Sequence, residues 1–332
     1  MLTDKEKRYQ KIKRVGEGQF AYVYQAKDSL NDEIVAIKKF KLVIGGRPGD
    51  AKQEMNFLKQ IKHDNIVQLK DIIGEGDDIQ LVMDYMETDL ETIVRGHKLN
   101  PAHIKNIMHQ LFVGVEHLHS NWILHSDLKP NNLLLNSAGC LKISDFGMAR
   151  YFENPPQKYT NLVVTRWYRS PELLFGMRKY GTGVDIWACA CIFGELFLRH
   201  PLFIGESDIS QLTRIFDVLG VPNEEDWPEL RSLPCYMEFE DAQKYTLRDI
   251  FPKACENTLS LMSSCFAFNP DKRATAKSAL ESPYFKCEPF ACHDEQIPGI
   301  DGIQDVTVSL NDENNNKEFR PNVPKFETDC LY

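Results

Sequence analysis

Long apolar runs, a basic block and metal-style cysteine pairs are all missing from this chain. No apolar stretch approaches the roughly 20 residues that cross a bilayer. The nearest, IWACACIFGELFL, is interrupted by Glu195 and reads as a central helix of a large domain, so no membrane partner is expected. Positive charge is short too: the 332 residues carry a formal net charge of −9 with no cluster of Lys and Arg, which argues against direct nucleic-acid binding. The nine cysteines are odd in number and scattered, and no secretory leader is recognisable, so a reduced intracellular compartment fits. Cys189 and Cys191 stand too close for the usual Cys-x-x-Cys zinc pair, and no second pair stands at ligand spacing. Buried thiols are the default expectation. No internal repeat is visible.

What is present is ordinary for a globular protein, 42% hydrophobic and 26% charged, with length for one large domain or two modest ones. The first third alternates in steps of two. YQKIKRVGEGQFAYVYQAKD predicts two strands around a Gly-bearing turn, and EIVAIKKFKL and DIQLVMDYM predict further strands. One helix interrupts them, starting at Ala51, with Asp50 and Gln53 as a capping box and Met55, Leu58 and Ile61 at helical spacing. The remainder is mainly helical: PAHIKNIMHQLFVGVEHLHS sets Ile104, Ile107, Met108, Leu111, Val115 and Leu118 along one stripe. A small strand-rich part before a larger helical part implies an α+β protein of two lobes, 1–86 and 87–287. From Glu288 to the end, ten acidic residues against three basic ones hold seven of the nine net negative charges. Residues 288–332 are expected to form a mobile acidic tail, with short pieces laid on the domain.

Four motifs carry chemistry. GEGQFAYVY places Gly16 and Gly18 before a continuing strand, which suits a two-stranded flap over phosphates better than a helix-opening turn, although a plain hairpin would look the same. VAIK then offers Lys38 to the α- and β-phosphates, with Glu54 on the following helix to hold its flexible ammonium; a solvated surface pair is the alternative. In HSDLKPNN, Asp127 can accept the proton of a substrate hydroxyl, Lys129 can lie against the transferring phosphoryl group, and Asn132 can hold Mg2+. SDFG supplies Asp145 as the second metal ligand. Phosphoryl transfer needs positioned oxygens, metal and counter-charge rather than covalent chemistry, and magnesium takes few protein carboxylates.

In this order and spacing the motifs resemble a eukaryotic protein kinase from about Tyr9 to Phe285. The resemblance implies the bilobal protein kinase fold and an ATP site between the lobes. Val15, Gly16, Glu17, Gly18, Gln19, Phe20 and Ala21 would form the flap, and Val23, Ala36 and Leu133 would enclose the base. Met83 would be the gatekeeper, Asp84 and Met86 would offer backbone groups to adenine, and Asp89 would approach the ribose. Glu172 would pair with Arg273 to brace the larger lobe, and Thr165 would join the catalytic set. YTNLVVTRWYRSPELLFG, METDLE, NWILHSDLKPNNLLL and GESDISQLTRIFDVLGVP are similar to cyclin-dependent kinases. They come nearest to those that activate other such kinases and, within a general transcription factor, phosphorylate the RNA polymerase II tail. That implies protein substrates with Ser or Thr before Pro, a cyclin and an assembly factor as partners, and a nuclear location, with the cytoplasm also open. The segment around Val163 and Arg169 would favour the proline, which brings no N–H to leave unpaired. Gln19 and Phe20 replace inhibitory phosphosites of relatives.

Several departures bear on regulation. Relatives grip a phosphothreonine, here Thr160, with three arginines; this chain has Ser126, Gln53 and Arg150 at those places. Charge-assisted hydrogen bonds contribute roughly 1.5–3 kcal/mol each, so losing two clamps weakens the ordering effect of phosphate while leaving ATP, metal and hydroxyl contacts intact. VIGGRPGDAKQE, with three glycines and a proline, shortens the helix start on which a cyclin would dock. Asn154 before Pro155 replaces a second phosphosite, and Ser170 a family alanine. The alternative reading is a catalytically weak kinase-shaped scaffold that binds nucleotide or partner. A small-molecule kinase fits the PELLFG and Trp-Pro segments less well.

Overall fold

The computed structural model describes residues 4–18, 21–41, 49–76, 78–152, 166–240 and 244–300. Gln19, Phe20, Asn154, Pro155, Thr160, Val163, Thr165 and the tail beyond 300 lie outside them.

After a short helix, α1 (Asp4–Arg8), the smaller lobe is built on β1 (Tyr9–Glu17), β2 (Ala21–Asp28), β3 (Ile34–Phe40), β4 (Leu69–Ile73) and β5 (Gln80–Asp84), with α2 (Gly49–Gln60) between β3 and β4. These form one antiparallel sheet in the order β1-β2-β3-β5-β4. Side chains alternate across the pleat. Val35, Ile37, Ile73 and Val82 therefore fill a small core with Tyr9 and Ala26 on one face. Val23 pairs with Lys38, Ala36 with Met83 and Lys38 with Leu81 on the other, so the expected base-enclosing and phosphate-gripping residues share the face turned to the second lobe.

The larger lobe begins with β6 (Thr88–Asp89), α3 (Leu90–Gly96) and α4 (Pro101–Ser120). Asn100 caps α4 by accepting from His103 N–H at 2.9 Å, and Pro101 opens its first turn, where a missing N–H costs nothing. All six residues of the predicted stripe are 0% exposed. Three hairpin-like pieces follow: β7 (Ile123–Leu124), β8 (Leu133–Leu135) and β9 (Leu141–Ile143), then β10 (Arg150–Tyr151) pairs back on β7. Beyond it run α5 (Pro171–Leu174), α6 (Gly183–Leu198), α7 (Asp208–Leu219), α8 (Leu247–Ile250), α9 (Glu256–Cys265) and α10 (Ala276–Leu280). The IWACACIFGELFL helix, α6, is the buried centre as expected, with Trp187, Ile192 and Phe193 packed inside. A shared core runs from Phe57 and Leu58 of α2 through Leu81 and Met83 into α4 and α6, so the lobes are joined by apolar contact.

Three expectations need correction. Helix α2 starts at Gly49 rather than Ala51. Gln53 does not cap it, because its Nε2 reaches across to donate to Ala149 O at 2.5 Å. Of the described thiols, Cys189, Cys191 and Cys265 are buried, but Cys235 and Cys255 are exposed and Cys140, Cys287 and Cys292 are half-buried. Residues 288–300 lie on the larger lobe: Ile297 and Ile300 are buried, and Asp294 Oδ1 accepts from Asn106 Nδ2 at 2.7 Å. Among the described residues no helix is long and apolar enough to cross a membrane.

Candidate active site

Lys38 sits at the centre of β3, and its ammonium donates to both carboxylate oxygens of Glu54 (2.8 and 2.7 Å) and to Asp145 Oδ1 (2.9 Å). The solvated-pair alternative is thereby excluded: Glu54 is 1% exposed. Burial alone would lower the lysine, but the two carboxylates outweigh it and hold Lys38 firmly protonated. Burial pushes Glu54 upward, opposed by the ammonium. Burial would raise Asp145 too, yet the Lys38 charge wins and holds it below the usual carboxylate range. One cation thus bridges a helix of the smaller lobe and a loop of the larger.

That loop is held in an uncommon backbone. Asp145 has φ +63° and Ser126 φ +65°, the left-handed region that non-glycine residues seldom enter. The surroundings supply the compensation. Asp185 of α6 accepts the N–H of His125 (2.9 Å) and of Ser126 (2.8 Å), and contacts His119 Nε2 at 3.0 Å. His125 in turn meets Ser144 O at 2.9 Å and packs edge-on against Phe146, 5.1 Å between ring centres. Phe146 is fully buried, so Asp145 points outward while its neighbour plugs into the core. None of Asp185, Ser144 or Phe146 was singled out for this; the aspartate of GVDIW carries no local signal, since its partners are about sixty residues away.

Asp127 and Lys129 form a pair at 2.8 Å, and Asn132 Nδ2 donates to Asp127 O (2.8 Å) and Oδ2 (3.1 Å). With both amide hydrogens directed at Asp127, the carboxamide oxygen of Asn132 is the atom it can offer a cation. The Asp145 carboxylate is half-exposed, so the available donors are hard oxygens. Among the described residues no three His, Cys, Asp or Glu side chains converge. One carboxylate and one carboxamide oxygen fit Mg2+, which keeps phosphate oxygens and water.

The other residues expected at the nucleotide are unevenly buried and several have partners of their own. Met83 and Ala36 are nearly buried and Leu133 wholly so, and Val23 lies opposite Lys38 in the sheet. Val15 is exposed, Glu17 pairs with Lys41 (2.8 Å), and Gly18 N–H donates to Ala21 O (2.9 Å) to close the turn. The Asp84 N–H is committed to Gln68 O (3.2 Å), and its carboxylate takes Lys142 (2.8 Å) and Lys70 (3.2 Å). Met86 is half-buried on the connecting segment. Asp89 caps α3 by accepting from Thr92 N–H at 2.8 Å, an additional local duty, and burial raises its carboxyl. The guanidinium of Arg150 lies over the Tyr180 ring at 4.5 Å, and Arg169 stands 3.9 Å from Asp208. Glu172 and Arg273 form a bidentate pair, 2.8 and 3.1 Å, with both side chains 0% exposed.

Comparison with known proteins agrees with this geometry. The protein kinase domain family matches residues 9–285. Cyclin-dependent kinase 7 of Caenorhabditis elegans is 49% identical over 303 residues, covering 88% of this chain and 91% of that protein. Cyclin-dependent kinase 7 of Xenopus laevis is 50% identical, covering 90% and 86%. Serine/threonine-protein kinase crk1 of Schizosaccharomyces pombe is 39% identical, covering 92% and 94%. A chain in the structure of the CAK complex from Chaetomium thermophilum, bound to ATP-gamma-S, superposes with a TM-score of 0.81 at 35% identity, covering 88% and 95%.

Proposed function

The chain belongs to the protein kinase family and is an ATP-using serine/threonine kinase of the cyclin-dependent, CDK-activating kind, and from that premise we propose how its residues divide the work. Lys38, steadied by Glu54, grips the α- and β-phosphates. Asp145 and the carboxamide oxygen of Asn132 would hold Mg2+, which would neutralise phosphate charge. Asp127 receives the proton of the attacking Ser or Thr hydroxyl, and Lys129, 2.8 Å from it, supplies positive charge beside the moving phosphoryl group. Val23, Ala36, Met83 and Leu133 clasp the base, with Met86 and Asp84 beside its edge and Asp89 near the ribose. Thr165, outside the described residues, completes the set.

The observation that carries this reading is the Lys38–Glu54–Asp145 bridge, because a scaffold that only bound partners would have no need to bury it. Substrates are Ser or Thr followed by Pro, including repeats such as those of the RNA polymerase II tail, in the nucleus, with a cyclin and an assembly factor as partners. Among the described residues α2 carries five residues before Glu54, and the glycines and proline of VIGGRPGD would give a cyclin less helix to hold. Its position is supported from within instead: Gln53 is bonded to Ala149 O, and Tyr151 OH donates to Gln60 Oε1 at 2.7 Å. Turnover accordingly depends weakly on Thr160 phosphate, and Thr160→Ala should retain most activity.

The test is phosphate transfer by purified full-length protein to a Ser-Pro repeat peptide and its Ser-Ala counterpart, beside Asp127→Asn. Transfer to the first peptide alone, lost in the variant, is expected. Equal signals from both proteins would favour the scaffold.

A further inference from the structure

Besides Lys38–Asp145, a second ion pair crosses between the lobes. Asp84 ends β5, where the sheet of the smaller lobe gives way to the connecting segment. Its Oδ2 accepts from the Lys142 ammonium at 2.8 Å and from Gln68 N–H at 3.1 Å, and its Oδ1 lies 3.2 Å from the Lys70 ammonium. Lys142 stands on β9, opposite Leu134 of β8 and three residues before Asp145. The Asp84 and Lys142 side chains are only 16% and 15% exposed. The two ends of the pair are unequally held. Strand β9 has anchors of its own: Leu141 N–H donates to Gln110 Oε1 at 2.7 Å, Ile143 N–H to Asn65 O at 2.9 Å, and Val67 N–H to Ile143 O at 3.0 Å. Gln110 and Asn65 are buried and bonded to each other at 3.1 Å. Lys142 is therefore a charge on a fixed strand. On the other side the chain leaves the sheet at Asp84 and passes through Met86, and Glu87 N–H then ties it to Leu135 O at 3.1 Å.

We propose that the side chains of Asp84 and Lys142 are positioning residues for ATP: their ion pair pins the segment from Asp84 to Met86 against β9 and so sets the seat of the base. The phosphates are gripped elsewhere, by Lys38, Asp145 and Asn132. The inference rests on the assignment of Asp84 and Met86 to the edge of the base. A pair largely out of water and fixed at one end restrains its partner more than a solvated pair, in which two flexible side chains must both be ordered. The seat is the same before and during phosphate transfer, so loosening it weakens ATP binding without slowing the chemical step. Asp145 stays in place when the Lys142 charge is lost, because the anchors of β9 on Gln110, Asn65 and Val67 do not involve that ammonium. The Asp84 carboxylate is not stranded either, since Lys70 and Gln68 N–H remain to it.

Calorimetric titration of the full-length protein with ATP and with inorganic tripolyphosphate, both with magnesium, separates the base from the phosphates; steady-state rates on the Ser-Pro peptide accompany it. Wild-type protein should bind ATP more tightly than tripolyphosphate. Lys142→Met keeps the stem and removes the charge. It should raise Kd and KM for ATP about tenfold, the lower end for one charge-assisted hydrogen bond. Its kcat and its affinity for tripolyphosphate should stay within about twofold of the wild type. Lys142→Arg should keep ATP affinity within about threefold, and adding Asp84→Asn to Lys142→Met should cost little more, because the two side chains act as one. Unchanged ATP affinity in Lys142→Met, or equal weakening toward ATP and tripolyphosphate, overturns the inference while leaving the base site standing. Equal binding of the two ligands by wild-type protein would instead remove the base site itself, and the inference with it.

Discussion

Replacing Glu172 by Gln would leave the Arg273 guanidinium in a dry interior without its counter-charge. Removing one partner of a buried pair costs about 3–5 kcal/mol, because the stranded charge can neither reach water nor be neutralised. Arg273 keeps other acceptors in the variant: Gly183 O at 2.7 Å, Ala267 O at 2.9 Å and Phe268 O at 3.2 Å, and it lies over the Trp187 ring at 5.1 Å. The lower end, about 3 kcal/mol, is therefore expected. At roughly 2–4 °C per kcal/mol for a domain of this size, the melting temperature should drop by about 6–12 °C. Differential scanning calorimetry of the full chain without nucleotide measures it. Neither residue touches Lys38, Asp127, Asn132 or Asp145, so kcat/KM well below the transition should stay within about threefold, a barrier change under 0.7 kcal/mol. Glu172→Met with Arg273→Met should recover most of the loss, since apolar groups of similar volume need no pairing. A drop below about 2 °C for Glu172→Gln would show that the pair is not what braces the lobe.

Gln53→Ala removes the bond to Ala149 O that holds α2 over Asp145. One such bond is worth about 1 kcal/mol, so kcat/KM should fall about fivefold in steady-state assays. Gln53→Arg should instead make turnover sensitive to Thr160 phosphorylation. Glu195, buried and bonded to Tyr168 OH at 2.7 Å, is pushed up to about 7 by burial. Folded protein then binds more protons than unfolded between the ordinary carboxyl value of 4.5 and 7, so stability falls as pH rises through that window. Glu195→Gln should match the wild type near pH 4 and exceed it near pH 8 by up to about 3 kcal/mol in urea titrations.

The lobes and the meetings of Lys38 with Glu54 and of Asp127 with Lys129 and Asn132 were legible because periodicity and spacing are local. Alternation around Val35 and Ile37, the stripe of α4, and the run from Asp127 to Asn132 each lie within one element. Lys38 and Glu54 could be matched because Asp50 and Glu54 are the only carboxylates between Lys38 and Ile61. What stayed hidden depends on distant partners. Asp185 supports the backbone of His125 and Ser126 from 59 and 60 residues away. Gln53 looked like a cap because S/T/D-x-x-Q patterns are read along the chain, whereas its acceptor is Ala149, 96 residues on. Cys255 was indistinguishable from a buried thiol, since exposure is settled by how α9 meets the Pro283–Lys286 turn.

Initial rates of γ-phosphate transfer from labelled ATP to the Ser-Pro peptide, across a magnesium series, address the central claim most directly. Wild-type protein should turn over and saturate with magnesium, and Asp145→Asn should lose at least a hundredfold, about 2.7 kcal/mol of barrier, with only a small drop in melting temperature because Glu54 still pairs with Lys38. Equal rates for the two proteins at every magnesium concentration would contradict the assignment of this crevice as the place where the chemistry occurs.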